Sequence, residues 1–365
     1  MGKILDIIIK IAALLIVLFL IYCLTIGRDF GLKQVNKVRG MYYVNVGDKA
    51  FKKHNMQEAI NAYQRGLELF PEHYEAWLNL GNIYVAYEDY YSATQAYEKA
   101  ILAKNNYTIA RMNLGIITAE KLGDFDSAIT QYKSIVDAKK ILISIPFIYS
   151  NKKSETANRA IAYYNMGKAY SQKALYTPIE KKTEKRDLLG KAANAYENAI
   201  LIVKDNYNMF YNLALTYHLL GDYRKAGQYY CEAIEIGPMN YEAHYNLGLM
   251  LKHLHQETYA IDELEKAAVL AASGSQSNPQ YILDVLSAVS MDALQKGIPD
   301  KIAQPDKDKK DNSKDNKDKK NKNKENEIKD EQIILYNGKD SSDKNDDVVL
   351  ETFKKCNSKY LFDIK

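Results

Sequence analysis

Residues 74–107 read YEAWLNLGNIYVAYEDYYSATQAYEKAILAKNNY, and most of the first three quarters of the chain is legible as near-copies of this stretch. Trp77, Leu80, Gly81 and Tyr84 lie three to four residues apart and so share one face of a helix. After a break at Glu88 and Asp89, Tyr90, Ala93, Tyr97 and Ala100 define a second such face. The spacing predicts two amphipathic helices joined by a short turn. Neither helix buries its stripe alone, so each pair needs a neighbouring pair. A period near 34 residues is therefore a stacking architecture rather than a single core.

With residues 40, 74 and 108 as the first of successive repeats, Gly47, Gly81 and Gly115 share the eighth place. Gly167 and Gly248 hold it later, and Ala214 replaces it once. A small residue there allows a neighbouring helix to approach closely. Ala59, Ala93, Ala192, Ala226 and Ala260 recur at the twentieth place, followed at the twenty-fourth by Tyr63, Tyr97, Tyr196 and Tyr230, with Leu264 last. Pro71 and Pro238 sit at the thirty-second, where proline ends one pair and turns the chain into the next.

This constellation resembles the tetratricopeptide repeat over residues 40–274. The resemblance implies an all-α, right-handed solenoid of helical hairpins acting as a protein-binding scaffold. It implies no particular chemistry, because scaffold and activity are separate properties. Six repeats are expected, with insertions near 142–159 and 174–187 and one extra residue around 123–125. The apolar stretch 141–150 (ILISIPFIYS) reads as a loop between repeats, and the charged residues 177–186 as a longer turn or helix extension. Residues 277–297, opening on Ser277-Asn278-Pro279, read as a helix that caps the last open face.

The net charge of +4 over 365 residues gives no electrostatic case for nucleic acid. The repeats account for many of the 30 tyrosines, whose rings can fill a seam while the hydroxyl finds a partner. Cys23, Cys231 and Cys356 have no metal-binding spacing and imply no disulfide framework; Cys231 reads as a buried cysteine on a repeat helix.

Residues 4–26 are dominated by Ile, Leu and Val, interrupted by Asp6 and Lys10. Counted from Ile7, the run approaches the roughly 20 residues that a bilayer core needs. It is read as a transmembrane anchor within residues 1–27. Thr25-Ile26-Gly27 is a weak cleavage site, which disfavours a secretory leader. Residues 28–39 then form a juxtamembrane linker, and its Arg28, Lys33, Lys37 and Arg39 lean the repeats of this single-pass protein towards the cytoplasm. Residues 303–330, rich in Lys, Asp and Asn, are expected to be a disordered linker. Residues 331–365 form a tail in which Val348, Val349, Phe353, Tyr360, Leu361 and Phe362 can build a short helix or a docking peptide.

The sixth place of every repeat is asparagine: Asn45, Asn79, Asn113, Asn165, Asn212 and Asn246. The resemblance implies that this place faces a concave groove. A side-chain amide both donates and accepts, so a ladder of them can pair with the backbone of a partner peptide. Tyr164, Tyr211 and Tyr245, one place earlier, would add contact area. The competing reading has the amides bonding within the fold. Related proteins clamp a terminal carboxylate with basic residues and asparagines, but the matching places here carry Val44, Asp48, Ile109 and Asn113, and only Asn79 fits.

No nucleotide loop, G-x-S-x-G elbow or H-E-x-x-H pair is present, and no catalytic activity, cofactor or metal is expected. His244 takes the place of Trp77 and reads as packing; His253 and His255, two apart, point to different faces. The leading expectation is a membrane-anchored, non-catalytic scaffold that holds a partner protein or peptide. An accessory subunit that positions a catalytic partner in an envelope or secretion system is the alternative, and a cryptic enzyme the third.

Overall fold

A glycine at the eighth place of a repeat leaves a hole, and the tyrosine at the twenty-fourth fills it. The computed structural model describes residues 2–138, 144–145, 149–150, 152–273 and 280–296; the side chains of residues 2–13, 23, 25–27, 144–145, 149–150 and 152–153 lie outside that description. A Cβ built on Gly47, Gly81, Gly115 or Gly167 would stand 2.6–2.8 Å from a ring carbon of Tyr63, Tyr97, Tyr132 or Tyr196 respectively. Gly248 meets Leu264 in the same way, at 2.7 Å. All four rings are at most 2% exposed. The glycine is needed for proximity alone, since each sits inside a helix.

The first repeat pairs the end of α1 (Gly2–Lys52) with α2 (Met56–Leu69), and the second pairs α3 (Tyr74–Ala86) with α4 (Tyr90–Ala103). The third is α5 (Thr108–Glu120) with α6 (Phe125–Val136). A two-residue antiparallel pair, β1 (Ser144–Ile145) and β2 (Tyr149–Ser150), separates it from the fourth, α7 (Lys152–Tyr176) with α8 (Lys182–Ile202). The fifth is α9 (Tyr207–Leu220) with α10 (Tyr223–Ile236), and the sixth α11 (Tyr241–His253) with α12 (Glu257–Ser273). Next in the described chain is α13 (Gln280–Gln295). The chain divides into two compact units, Met1–Asn165 and Met166–Lys365.

The turn inside each hairpin also follows the period. His54, Glu88 and His255, at the fifteenth place, adopt φ of 56–59°, and Gly221 at the same place adopts 79°. Gly123, displaced by the extra residue of the third repeat, adopts 68°. The next residue caps the following helix: Asp89 Oδ1 accepts from the Ser92 amide at 3.0 Å, and Asp124 Oδ1 from the Ser127 amide at 3.0 Å. One left-handed residue followed by a capping acid thus reverses the chain in the fewest residues.

The structure departs from expectation at several points. The linker expected at 28–39 is helical, because α1 runs unbroken from Gly2 to Lys52 and the first proline of the chain is Pro71. The insertion near 142–159 resolves into the strand pair and the first turns of α7, and the one near 174–187 into longer helices. Pro178 and residues 177–181 form the turn between them. Cys231 is fully buried, as expected, but is disulfide-bonded rather than a free thiol. Among the described residues no helix is long and apolar enough to cross a membrane. Much of the expected anchor, residues 4–13, has side chains outside the described residues, as do residues 303–330 and 331–365 altogether.

Filling the hole from the glycine side will destabilise the hairpin. Gly81→Ala places a methyl against the Tyr97 ring and is expected to cost about 1–3 kcal/mol. Gly190→Ala, on α8 with nothing within 4 Å, is expected to gain up to about 1 kcal/mol from helix propensity. Urea denaturation of both variants checks the pair; equal midpoints would refute the ring-in-hole account.

Candidate functional site

A ring sealed inside a hairpin still carries a hydroxyl, and burial without a partner costs that group a few kcal/mol. Tyr63 Oη donates to Asp48 Oδ1 at 2.6 Å, and Tyr97 Oη to Asn82 Oδ1 at 2.7 Å. Asp48 and Asn82 both stand at the ninth place, one residue after the glycine. The asparagine of the next repeat then joins them. Asn79 Nδ2 donates to Asp48 Oδ1 and to Tyr63 Oη, each at 3.4 Å, and Asn113 Nδ2 donates to Asn82 Oδ1 at 3.1 Å. Burial pushes the Tyr97 hydroxyl up to about 12, with the Asn113 amide drawing it back, and burial with the Asp48 carboxylate raises Tyr63 as well.

The expected asparagine ladder is therefore in part an internal stitch between neighbouring repeats. The sixth place lies about 200° around the helix from the eighth, at 100° per residue, so these amides face away from the glycine–tyrosine seam. Asn79 and Asn113 are half-buried, Asn45 and Asn82 exposed. Among the described residues, the Oδ1 acceptors of Asn79 and Asn113 receive no hydrogen bond. Both keep an acceptor for a backbone N–H.

The other expected site residues do not repeat this arrangement. Asn165 is half-buried with Nδ2 at 3.4 Å from Met112 Sδ; the third repeat has Ile116 at its ninth place, which offers no polar partner. Tyr164 and Asn212 are half-buried. Asn246 is fully buried and donates to Tyr211 Oη at 2.7 Å. Tyr211 and Tyr245 are at most 1% exposed, packed on Tyr230 and Tyr281 respectively, so their rings offer no contact area. For Asn246, Tyr211 and Tyr245 the groove expectation is corrected: large neighbours close over them.

Periodicity concealed one feature. A cleft of about 570 Å³ opens between α2, α3 and α4, with Trp77, Leu80 and Tyr84 on one wall and Gln64, Gln95 and Lys99 around it. The indole of Trp77 donates to the Pro71 carbonyl at 2.9 Å, and Lys99 Nζ lies 4.5 Å from the centre of its ring. The chain contains one tryptophan. That rarity was the available signal, but the fourth place had read as packing.

His244, the counterpart of Trp77, is indeed enclosed. Its Nδ1 lies 2.6 Å from Glu263 Oε2 and its Nε2 lies 3.1 Å from the Pro238 carbonyl. Burial alone would raise the Glu263 carboxyl, but the hydrogen bond and charge of His244, with Lys266, hold it at about 2. Among the described residues no group of His, Cys, Asp and Glu could hold a metal ion.

Residues 47–107 and residues 207–238 match family models of the tetratricopeptide repeat, and these stretches are such repeats. The chain is 28% identical over 98 residues to the tetratricopeptide repeat-containing protein trd-1 of Caenorhabditis elegans, which covers 27% of this chain and 13% of that protein. It is 21% identical over 244 residues to the BBSome complex member BBS4 homolog of Drosophila melanogaster, covering 66% and 44%. The chain thus spans less than half the length of either relative. Among solved structures it is similar to PilW, a type IV pilus biogenesis factor, with a TM-score of 0.47 and 16% identity over 68% of this chain and 98% of that one.

If one shared acceptor couples adjacent repeats, Asn82→Ala will cost about 1–3 kcal/mol and Asn113→Ala about 1 kcal/mol, with the double variant losing less than their sum. Strict additivity in urea titrations would dissolve the stitch. The Glu263 carboxyl lies below its ordinary value of 4.5, so its stabilisation is complete above that value and is lost as pH falls from there towards about 2. Acid unfolding monitored by circular dichroism is expected to be less steep across that window in Glu263→Gln. His244→Ala, which strips the carboxylate of its main partner, is expected to cost about 3 kcal/mol at neutral pH.

Proposed function

We propose that the chain is a non-catalytic protein-binding scaffold, anchored in a membrane through residues 4–26 with its repeats on the cytoplasmic side. The partner is a polypeptide held along the faces of α1, α3 and α5 that turn away from their hairpin seams. The observation that carries this reading is the pair of acceptors on Asn79 and Asn113, at the same place of adjacent repeats and flanked by exposed Asn45 and Asn82. An extended peptide presents backbone N–H groups at regular intervals, which such acceptors can receive whatever its sequence. Half-buried Met112 and Ile116 supply apolar contact beside them.

The anchor is supported by the run from Leu14 to Tyr22, nine successive apolar side chains each at least 50% exposed, with Leu24 at 72%. A contiguous apolar surface of that kind calls for a nonpolar environment. Arg28, Lys33, Lys37 and Arg39 follow it and set the proposed orientation.

Photo-crosslinking groups placed in the full chain at Asn45, Met112 or Ile116 are expected to capture one and the same polypeptide in cells. Groups at Glu98 or Lys133, exposed on the second helices of their hairpins, are expected to capture none. Indiscriminate capture from both sets would end the groove reading. Deleting residues 4–26 should move the protein from the carbonate-washed membrane pellet to the supernatant.

A further inference from the structure

The third place of a repeat faces the hairpin before it. Ala76 shares a core cluster with Tyr63 and Leu67, Ala110 with Tyr97 and Ala100, and Ala162 with Ile135 and Val136. These three alanines and Ala243 are fully buried, and Met209 holds the place in the fifth repeat, also buried. In the first repeat the residue is Tyr42, which is 65% exposed. The tenth place behaves alike: Ile83, Ile117, Ala169, Thr216 and Met250 are buried there, whereas Lys49 is exposed. Places three and ten are seven residues apart and share one helix face. The chain before Gly40 is the rest of the same helix, not a hairpin, so this face of the first repeat is the open end of the array. A terminal face of a repeat array is ordinarily polar, to meet water. This one is not. Val38 and Val35, one and two turns before Tyr42, are 68% and 53% exposed.

The face continues along α1. Gly31, Val35, Val38 and Tyr42 are four, three and four residues apart, and Leu14, Val17, Ile21, Leu24 and Arg28 carry the same alternation back through the apolar run. Apart from Gly31 and Arg28, every one of these side chains is apolar or aromatic and at least 50% exposed. Their mean spacing is 3.5 residues, whereas a straight helix repeats every 3.6. The mismatch is about 20° per heptad, or about 80° between Leu14 and Tyr42, so a stripe kept in step over that length suits a left-handed pair of helices. At 1.5 Å per residue the seam is about 42 Å long. The lysines of this stretch point elsewhere: Lys33 Nζ lies 3.2 Å from Glu72 Oε1, and Lys37 Nζ 5.1 Å from the centre of the Phe70 ring. From Gly31 to Tyr42 the seam positions therefore carry no charge. A Cβ on Gly31 would meet nothing within 4 Å, so within one chain this glycine only weakens the helix. On the seam it lets a second backbone come close.

We propose that α1 is the interface of a parallel, in-register homodimer, in which Val35, Val38 and Tyr42 of one copy pack on the same residues of the second. An occupant of the seam must offer an apolar stripe of equal length and period. Among the described residues only α1 does so, with 51 residues against 25 in α7, the next longest helix. A second copy supplies the match by symmetry, since a two-fold contact of parallel helices sets each residue against itself. Parallel order follows from the side chains: reversing one helix about Val35 would oppose Ile21 to Lys49 and Arg28 to Tyr42. Burying seven such side chains removes roughly 400–800 Å² per copy, close to the ~800 Å² of a standard interface. Leu32 and Met41, 55% and 44% exposed beside the seam, widen it. The next charged seam position is Lys49, where like charges would meet, so the helices part after Tyr42 and leave Asn45 open. The inference does not depend on what the repeats bind, nor on whether the N-terminal part of the seam lies in lipid or in water.

The full chain in detergent is expected to sediment as a dimer at micromolar concentration, and the double variant Val35→Glu/Val38→Glu to dissociate at least about 100-fold more readily. Both positions are exposed in the single chain, so its circular dichroism is expected to match that of the parent, which separates a lost interface from lost folding. In native membranes, Val38→Cys introduced into a Cys23→Ser chain is expected to give a disulfide-linked homodimer on oxidation, above the level of the Cys23→Ser parent. Lys33→Cys in the same background, on the side turned to Glu72, is expected to give none. A monomer at every concentration, a dimer indifferent to the two glutamates, equal linkage from positions 33 and 38, or linkage of position 38 to a different protein would overturn the proposal. Release of the chain by carbonate counts against the anchor and leaves the dimer untouched.

Discussion

A tyrosine ring in a glycine hole is the interaction on which the rest of the molecule depends. The ring is large enough to bury on the order of 200 Å² of surface within one hairpin, yet it carries a hydroxyl that burial does not tolerate unpaired. Where the hydroxyl emerges decides what the neighbouring helix must present. In the first two repeats it meets Asp48 or Asn82, and the leftover hydrogen-bonding capacity of that residue recruits Asn79 or Asn113 from the following repeat. A packing requirement inside one hairpin thereby becomes a polar contact between two.

The relay also explains where the array changes character. At the ninth place of the third repeat stands Ile116, and its tyrosine, Tyr132, is raised by burial and by the nearby Glu120 carboxylate. The following asparagine, Asn165, is left with the soft sulfur of Met112. The strand pair interrupts the chain after this repeat, and the division between the compact units falls next to Asn165. Beyond it the polar contacts are built differently: His218 faces the Tyr230 hydroxyl at 3.3 Å, and the His244–Glu263 pair replaces an indole. A buried ion pair of this kind contributes little net stability over an apolar pair, but removing one partner is costly, which ties the sixth repeat to its own histidine.

The helices were legible in the sequence because their cause is local and periodic. A stripe of apolar side chains every three to four residues, a small residue at the eighth place and an acid such as Asp89 at a cap each act within one hairpin. Junctions were less legible. Residues 28–39 include Gly31, which disfavours a helix, and their helicity follows from continuity with both neighbours rather than from any signal of their own. The asparagines were found at once, but their role was not, since whether an amide faces a partner or the adjacent repeat depends on residues 31 positions away. Burial of Tyr211, Tyr245 and Asn246 was the least legible of all. Their places in the repeat match Met112 and Asn79, which are only half-buried, so position within the repeat does not decide their exposure.

That difference argues for two unequal halves in one array of hairpins. Helices of identical period present amides and half-buried apolar residues in the N-terminal unit, whereas their counterparts α9 and α11 are sealed. Periodicity cannot cause the asymmetry, because it acts alike on every repeat. A cause outside the period is needed, and the side chains supply it: Tyr211 packs on Tyr230, and Tyr245 meets Tyr281 of α13, the helix described after the sixth repeat. The polar relay and the half-buried side chains beside it are therefore properties of the N-terminal unit, set by Asp48 and Asn82 at its ninth places.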